Sequence, residues 1–117
     1  MKKVRGYVCS GLINKSYTPV KLQNLAIRDY CAKNNLDFQL SHVEYSILNS
    51  IISLNGILDE LSEIDGIVFY SMFQLPNISA ERIRIAKKII SSKKKIYFAL
   101  EEQIIFDKES LTKIEEL

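Results

Sequence analysis

A continuous apolar run near the middle of the chain constrains the fold more than any other feature. The run Ile67-Val68-Phe69-Tyr70 follows a turn signal, Asp65-Gly66, and every residue in it is β-branched or aromatic. A strand that faces water on one side alternates apolar with polar residues, whereas a strand covered on both faces is apolar throughout. We therefore expect this run to form the central strand of a parallel sheet.

Strand-like and helix-like segments alternate along the rest of the chain. Three further strands are predicted where short β-prone segments occur, at residues 4–9, 36–45 and 96–100. Helices are predicted where apolar residues recur at spacings of three and four, at residues 18–35, 50–63 and from 79 onward, with a short C-terminal helix within 107–117. This alternation predicts an α/β fold, a doubly wound sheet of about four mainly parallel strands with helices on both faces.

Local signals set the expected boundaries of these elements. Thr18 and Pro19 predict the start of the first helix, with threonine as N-cap and proline at the first helical position. Ser79 is expected to cap the third helix in the same way. Residues 12–17 are expected to form a loop.

Length and composition restrict the class of protein. With 117 residues, 47% of them hydrophobic, we expect one α/β domain spanning residues 1–117. A net charge of +2, from 16 basic and 14 acidic residues, does not demand nucleic acid or an anionic membrane as a partner. No apolar run approaches the ~20 residues that a membrane helix needs, so we expect no membrane insertion and a cytoplasmic location.

The sequence implies no cofactor and no metal. It contains two cysteines and one histidine, too few for a structural zinc site, and it lacks a glycine-rich phosphate loop. Because the carboxyl ends of parallel strands meet at one edge of a sheet, any ligand is expected there. The polar residues that this edge would gather are Ser10, Glu44, Tyr45, Ser71, Gln74, Glu101 and Glu102.

The order of these segments resembles the N-terminal domain of the serine recombinases, or resolvases. Gly6-Tyr7-Val8-Cys9-Ser10 is similar to that family's Tyr-Ala-Arg-Val-Ser, and Gln23 lies where the family has a glutamine. The resemblance implies a resolvase-like fold. The two positions at which the family places phosphate-binding arginines are uncharged here, and strand exchange through a phosphoserine needs fixed positive charge.

A second resemblance covers nearly the whole chain. Residues 5–10, 23–31 and 66–76, with Arg82 beyond them, look like the sporadic carbohydrate cluster protein family. That resemblance implies a small bacterial protein of surface-polysaccharide and modified-sugar biosynthesis. It also implies a sugar or nucleotide-sugar ligand, and it leaves the reaction open.

These observations lead to a set of candidate site residues. We assign catalytic roles to Ser10 and Gln74, and substrate-binding roles to Gln23, Arg28, Tyr70, Ser71 and Arg82. A structural alternative stays open for five of them: Ser10 as a turn or cap residue, the two glutamines as ties to backbone, Tyr70 as a core or interface residue, and Arg28 in an ion pair with Asp29 or Glu44.

Three functions remain open. The chain acts in surface-carbohydrate biosynthesis as a small enzyme or sugar-binding component, or it is a non-catalytic interaction module, or it is a recombinase domain. We expect a homodimer or a partner enzyme of the same pathway, and no nucleic acid partner.

Overall fold

A computed structural model describes residues 1–13, 15–45, 51–115 and 117. The strands are β1 (Lys2–Cys9), β2 (Leu12–Ile13), β3 (Ser16–Tyr17), β4 (Leu36–Glu44), β5 (Gly66–Phe69), β6 (Lys95–Phe98) and β7 (Gln103–Ile105). The helices are α1 (Val20–Lys33), α2 (Ile52–Asp59), α3 (Ser79–Ser91) and α4 (Thr112–Glu115), with single 3-10 turns at Leu61–Glu63 and Met72–Gln74.

The main sheet has five strands in the order β4-β1-β5-β6-β7. Strand β5 is therefore central, as the apolar run predicts, and all four of its residues are buried. The pairs β1–β4, β1–β5 and β5–β6 are parallel, whereas β7 is antiparallel to β6. The predicted α/β fold with a mainly parallel sheet is confirmed.

Strand β7 was not expected from the sequence, because it has only three residues and follows β6 through a tight turn. Glu102 adopts a φ of 53° in that turn. Residues 12–17 also differ from the expectation. They form the antiparallel β2–β3 hairpin instead of a loop, with Lys15 at a φ of 67° at its tip.

Helices cover both faces of the sheet, as predicted. On one face α1 packs through Ile27, Tyr30 and Cys31 against a cluster that includes Val8 of β1 and Val68 of β5. On the other face α2, α3 and α4 pack against a larger cluster, whose members from the sheet are Tyr7, Ile67, Phe69, Ile96, Phe98 and Ile105. The side chains of each buried strand thus alternate between two separate apolar clusters.

A bulge interrupts β4, and it changes which side chains share a face. The register with β1 shifts by one residue between the pairs Arg5–Gln39 and Tyr7–His42. In an unbroken strand Phe38, Leu40 and His42 would share one face, but the bulge breaks this alternation. Phe38 packs with the α1 cluster, whereas the imidazole of His42 lies 3.7 Å from the carboxylate of Glu60.

The helix starts differ by one residue from the sequence-based boundaries. Pro19, not Thr18, occupies the N-cap position of α1, and Ile78, not Ser79, occupies that of α3. The Ser79 hydroxyl instead donates to the carbonyl of Glu115 at 3.4 Å.

The expected start of the second helix at residue 50 lies outside the described residues. Helix α4 lies within the range 107–117 predicted for a C-terminal helix. In the part of the chain that the structure describes, no helix has the length and hydrophobicity to cross a bilayer.

Candidate functional site

The ends of four parallel strands form what we call the carboxyl edge of the sheet. Glu44 is the last residue of β4, Ser10 follows β1, Tyr70 and Ser71 follow β5, and Glu101 lies three residues beyond β6. The backbone N–H of Ser10 donates to the carbonyl of Glu44 at 2.9 Å, which ties two of these ends together. The edge therefore collects the polar residues that the sequence placed there.

Gln23 is the best-connected side chain of this edge, and it is fully buried. Its Oε1 accepts from the backbone N–H of Cys9 at 3.0 Å, and its Nε2 donates to the carbonyls of Cys9 and Thr18, both at 2.7 Å. Oε1 also accepts from Nε2 of Gln74 at 3.0 Å. A carboxamide has two donor hydrogens and two acceptor lone pairs, so Gln23 uses all four.

Gln74 links the end of β1 to the turn after β5. Its Nε2 donates to Gln23 and lies 3.5 Å from Sγ of Cys9, and its Oε1 accepts from the backbone N–H of Ser71 at 3.2 Å. The Ser71 hydroxyl accepts from the N–H of Phe73 at 3.2 Å, which completes a capping box around the turn Met72–Gln74. Gln74, which was predicted to be catalytic, and Ser71, which was predicted to bind substrate, thus both stabilise the turn itself.

Ser71 also contacts Glu101, a residue that was not among the predicted site residues. The Ser71 hydroxyl donates to Oε2 of Glu101 at 2.7 Å, and the N–H of Met72 donates to Oε1 at 2.9 Å. Hydrogen bonds to an ionised carboxylate are stronger than neutral ones, so this pair holds the ends of β5 and β6 together. The sequence signal for Glu101 was its place directly after the predicted fourth strand.

A second carboxylate, Glu44, is buried at the start of α2. It accepts from the hydroxyl of Tyr7 at 3.0 Å and from the backbone N–H groups of Ser53 and Leu54 at 3.1 to 3.2 Å. The N-terminal N–H groups of a helix stabilise negative charge. Burial, together with the neighbouring Glu44 carboxylate, raises the pKa of the Tyr7 phenol.

Cys9 has the wrong ionisation state for a nucleophile. Burial raises the pKa of its thiol, the contact with Gln74 opposes that change, and the charge of Glu44 adds to it. Because the thiolate is the reactive form, Cys9 is a neutral structural residue at neutral pH.

The two predicted arginine contacts lie away from these groups. The guanidinium of Arg28 lies 5.4 Å from the centre of the Phe38 ring, and Phe38 pairs with Val4 near the start of β1. The guanidinium of Arg28 therefore lies near the start of the first strand and does not reach its end. Neither of its expected ion pairs forms, because Asp29 contacts Lys33 at 2.8 Å and Glu44 binds α2.

Arg82 is buried, and backbone carbonyls surround its guanidinium. Nε donates to Ile114 at 2.9 Å, Nη2 to Glu115 at 3.1 Å, and Nη1 to Pro76 and Asn77 at 3.1 and 2.8 Å. These bonds join the start of α3 to the end of α4. The prediction that Arg82 binds a ligand anion assumed a solvent-facing guanidinium at a helix start, and the structure turns that side chain inward instead.

Tyr70 is half-buried at the end of β5 and packs at the border of the α1 cluster. Its carbonyl accepts from the N–H of Leu100 at 2.8 Å. Among the described residues, no lysine or arginine makes a hydrogen bond or ion pair with Ser71, Gln74 or Glu101. The edge thus offers acceptor positions on the Glu101 carboxylate with no cation bound to it, which suits neutral hydroxyls better than phosphates.

The comparisons with known proteins address the fold. No protein-family model and no curated protein matches the chain. The chain is similar to the N-terminal catalytic domain of TP901-1 integrase, with a TM-score of 0.78 and 10% sequence identity, over 97% of this chain and 88% of that one. It is also similar to a resolvase family site-specific recombinase from Streptococcus pneumoniae, with a TM-score of 0.79 and 10% identity, over 97% and 83% of the two chains. At this identity the likeness shows the fold alone, and that fold is resolvase-like.

Proposed function

We propose that this chain is a sugar-binding component of bacterial surface-carbohydrate biosynthesis and has no chemistry of its own. The pathway is suggested by the resemblance of residues 5–10, 23–31 and 66–76 to the sporadic carbohydrate cluster proteins. The mode of action is supported by one observation: hydrogen bonds within the fold occupy Gln23 and Ser71, whereas Glu101 keeps two acceptor positions. This proposal includes the expected cytoplasmic location and the absence of a cofactor.

Saturated hydrogen bonds favour binding over catalysis at this edge. Gln23 has no hydrogen-bonding position left, and the Ser71 hydroxyl is only 1% exposed and already donates to Glu101. A nucleophile has to reach its substrate and needs a base that can take its proton. Ser71 does not meet the first condition, although the adjacent carboxylate satisfies the second.

The groups with remaining capacity match the hydroxyls of a sugar. A carboxylate has about four lone-pair positions, and Glu101 uses two of them. The half-exposed Tyr70 ends the neighbouring strand, where its carbonyl accepts from the N–H of Leu100, and it carries an aromatic ring and a phenol. We expect an uncharged sugar to donate to Glu101 and to pack on Tyr70, with the amides of Gln23 and Gln74 fixing the floor beneath it.

A thermal-shift screen against free sugars, sugar phosphates and nucleotide sugars tests this proposal. A ligand at a hundred times its Kd adds ~2.7 kcal/mol of stability, which a domain of this size shows clearly. We expect a shift with a free sugar that Glu101→Gln reduces and that the matched variant Glu102→Gln keeps. No shift with any sugar, or a shift that requires a phosphate group, would contradict the proposal.

A second candidate, a serine recombinase catalytic domain, is favoured by the fold likeness and by the position of Ser10 after β1. It predicts a covalent DNA adduct that forms with the wild-type protein and is absent in Ser10→Ala. We expect no adduct from either protein, because no arginine occurs from Gly6 to Ser10 or from Phe69 to Asn77. A Ser10-dependent adduct would replace the sugar-binding proposal.

The oligomeric state is part of the same proposal. We propose a homodimer or a complex with an enzyme of the pathway, and light scattering on the purified chain separates the two. A dimeric mass favours self-association, and a monomeric mass directs the search to a partner.

A further inference from the structure

A groove of about 350 Å³ lies between α3 and the turn that precedes α4, on residues that take no part in the carboxyl edge. Four cationic side chains form its rim, and two apolar side chains form its floor. The rim consists of Arg84, Lys87, Lys88 and Lys108, and the floor of Ile90 and Leu111. We call this feature the basic groove.

The charges of the rim are largely uncompensated. Arg84 contacts Glu81 at 2.9 Å, but no carboxylate of the described residues lies within ion-pair distance of Lys87, Lys88 or Lys108. Residues 84–98 contain six basic residues and no acidic one, although the whole chain has a net charge of only +2. Three lysines of the rim therefore lack an ion-pair partner among the described residues, and a negatively charged partner would complement them.

The walls of the groove are held in place by hydrogen bonds. The Ser110 hydroxyl accepts from the N–H groups of Phe106 and Asp107 at 3.0 and 3.1 Å, and the Ser110 N–H donates to the Asp107 carboxylate at 2.8 Å. This turn fixes Lys108 opposite the third helix. The binding surface is thus pre-formed, which lowers the entropy cost of binding.

The chemistry of the groove distinguishes among anionic partners. None of the described residues that line it is aromatic, so these residues offer no stacking platform for nucleic acid bases. The only guanidinium on the rim is already paired with Glu81, and the remaining cations are flexible lysines, so the groove lacks a bidentate phosphate clamp. An anionic membrane is also a poor partner, because the apolar side chains lie at the floor of a concave groove and cannot insert into a bilayer as protruding side chains would.

We propose that the basic groove binds an acidic segment of a partner protein, with one or two large apolar side chains flanked by Asp or Glu. The apolar side chains would cover Ile90 and Leu111, and the carboxylates would pair with Lys87, Lys88 and Lys108. The proposal goes beyond sugar binding, since it assigns a partner to a different face. An amphipathic helix that lays apolar anchors into such a groove is a common mode of peptide recognition.

Fluorescence anisotropy with labelled synthetic peptides tests the proposal on the full chain. The probe is an acidic helical peptide with leucines four residues apart, and two matched peptides replace its leucines by serine or its glutamates by glutamine. We expect saturable binding of the probe, which weakens with salt, and at least ~10-fold weaker binding of either matched peptide.

Charge-reversal variants locate the binding surface. Lys87→Glu/Lys88→Glu should weaken probe binding by ~10-fold or more, whereas the control Lys93→Glu/Lys94→Glu changes the net charge equally outside the groove and should weaken it by less than ~3-fold. Equal effects of the two double variants, equal binding of the leucine-free peptide, or no probe binding would overturn the proposal. So would tighter binding of anionic lipid vesicles or duplex DNA than of the probe.

The sugar screen on the same variants separates this proposal from the proposed function. We expect Lys87→Glu/Lys88→Glu to keep any sugar-induced thermal shift while it loses the peptide. If the variant loses peptide binding but keeps the sugar-induced thermal shift, the groove serves the protein partner alone. If it loses both, the proposal that the two ligands bind to independent surfaces is contradicted.

Discussion

The carboxyl edge and the basic groove differ in what their polar groups do. At the edge, Gln23, Gln74, Ser71 and Glu101 bind one another and the backbone at 2.7 to 3.2 Å. In the groove, three lysines have no carboxylate partner among the described residues. Strand ends bring chemistry-bearing residues together, but only groups with unused bonding capacity can bind another molecule. Hydrogen bonds within the fold therefore occupy most polar groups of the edge and leave two acceptor positions on Glu101, whereas three lysines of the groove remain available.

The largest effect is expected at Gln23. Gln23→Ala removes four hydrogen bonds and leaves the buried N–H and carbonyl of Cys9 unsatisfied, so we expect a loss of about 3 kcal/mol in the free energy of unfolding. Urea denaturation measures it. Gln39→Ala, at a partly exposed position of β4, is the matched control and should change stability little. Equal losses for the two variants would mean that the edge network contributes nothing to stability.

A smaller but sharper contrast is expected between two arginines of α3. Arg82→Met leaves four backbone carbonyls without their donor, and we expect a loss of about 2 kcal/mol. Arg84→Met removes an exposed groove cation and should leave the unfolding midpoint nearly unchanged, while it weakens binding of the acidic peptide. If Arg84→Met destabilises the protein as much as Arg82→Met, the distinction between a buried structural arginine and an exposed one fails.

The smallest effect concerns the turn that holds Lys108. Hydrogen bonds from Ser110 lower the pKa of the Asp107 carboxyl below its usual range, and the bond from the Ser110 backbone N–H has the largest effect. A lowered pKa in the folded state stabilises the protein above the unfolded pKa of about 3.9, and this stabilisation disappears as the pH falls through the folded value. Asp107→Asn should therefore lower the Tm slightly at pH 7 and not at all at the lowest pH at which the protein is folded. A difference in Tm that is constant with pH would show that the charge is not involved.

The architecture followed from patterns that the sequence states directly. The unbroken run at residues 67–70 predicted the central strand, and the alternation of strands and helices predicted a parallel sheet with two covered faces. Strand β7 and the hairpin at residues 12–17 were missed because both are very short. At the bulge in β4, the Ser41 side chain lies against Gly6 and its hydroxyl donates to Asn24 at 2.6 Å, and neither partner is close to Ser41 in sequence.

The site was harder to predict than the fold, for a physical reason. The position of Gln23 on the apolar arc of its helix indicated that its amide needs partners, but those partners come from segments around Cys9, Thr18 and Gln74. Periodicity could have corrected the assignment of Arg82. It lies three and four residues before Ile85 and Ala86, and therefore on the buried stripe of its helix.

The bulge in β4 also affects how copies of the chain can assemble. β4 is an outer strand of the sheet, and an unprotected outer strand can pair with another sheet and form aggregates. Here the bulge leaves no more than four regular positions in a row, at residues 36–39. The carbonyls of Leu40 and Val43 already accept from the Arg5 guanidinium and the Ser53 hydroxyl. A dimer of this chain should therefore not continue the sheet from one copy into the next through β4.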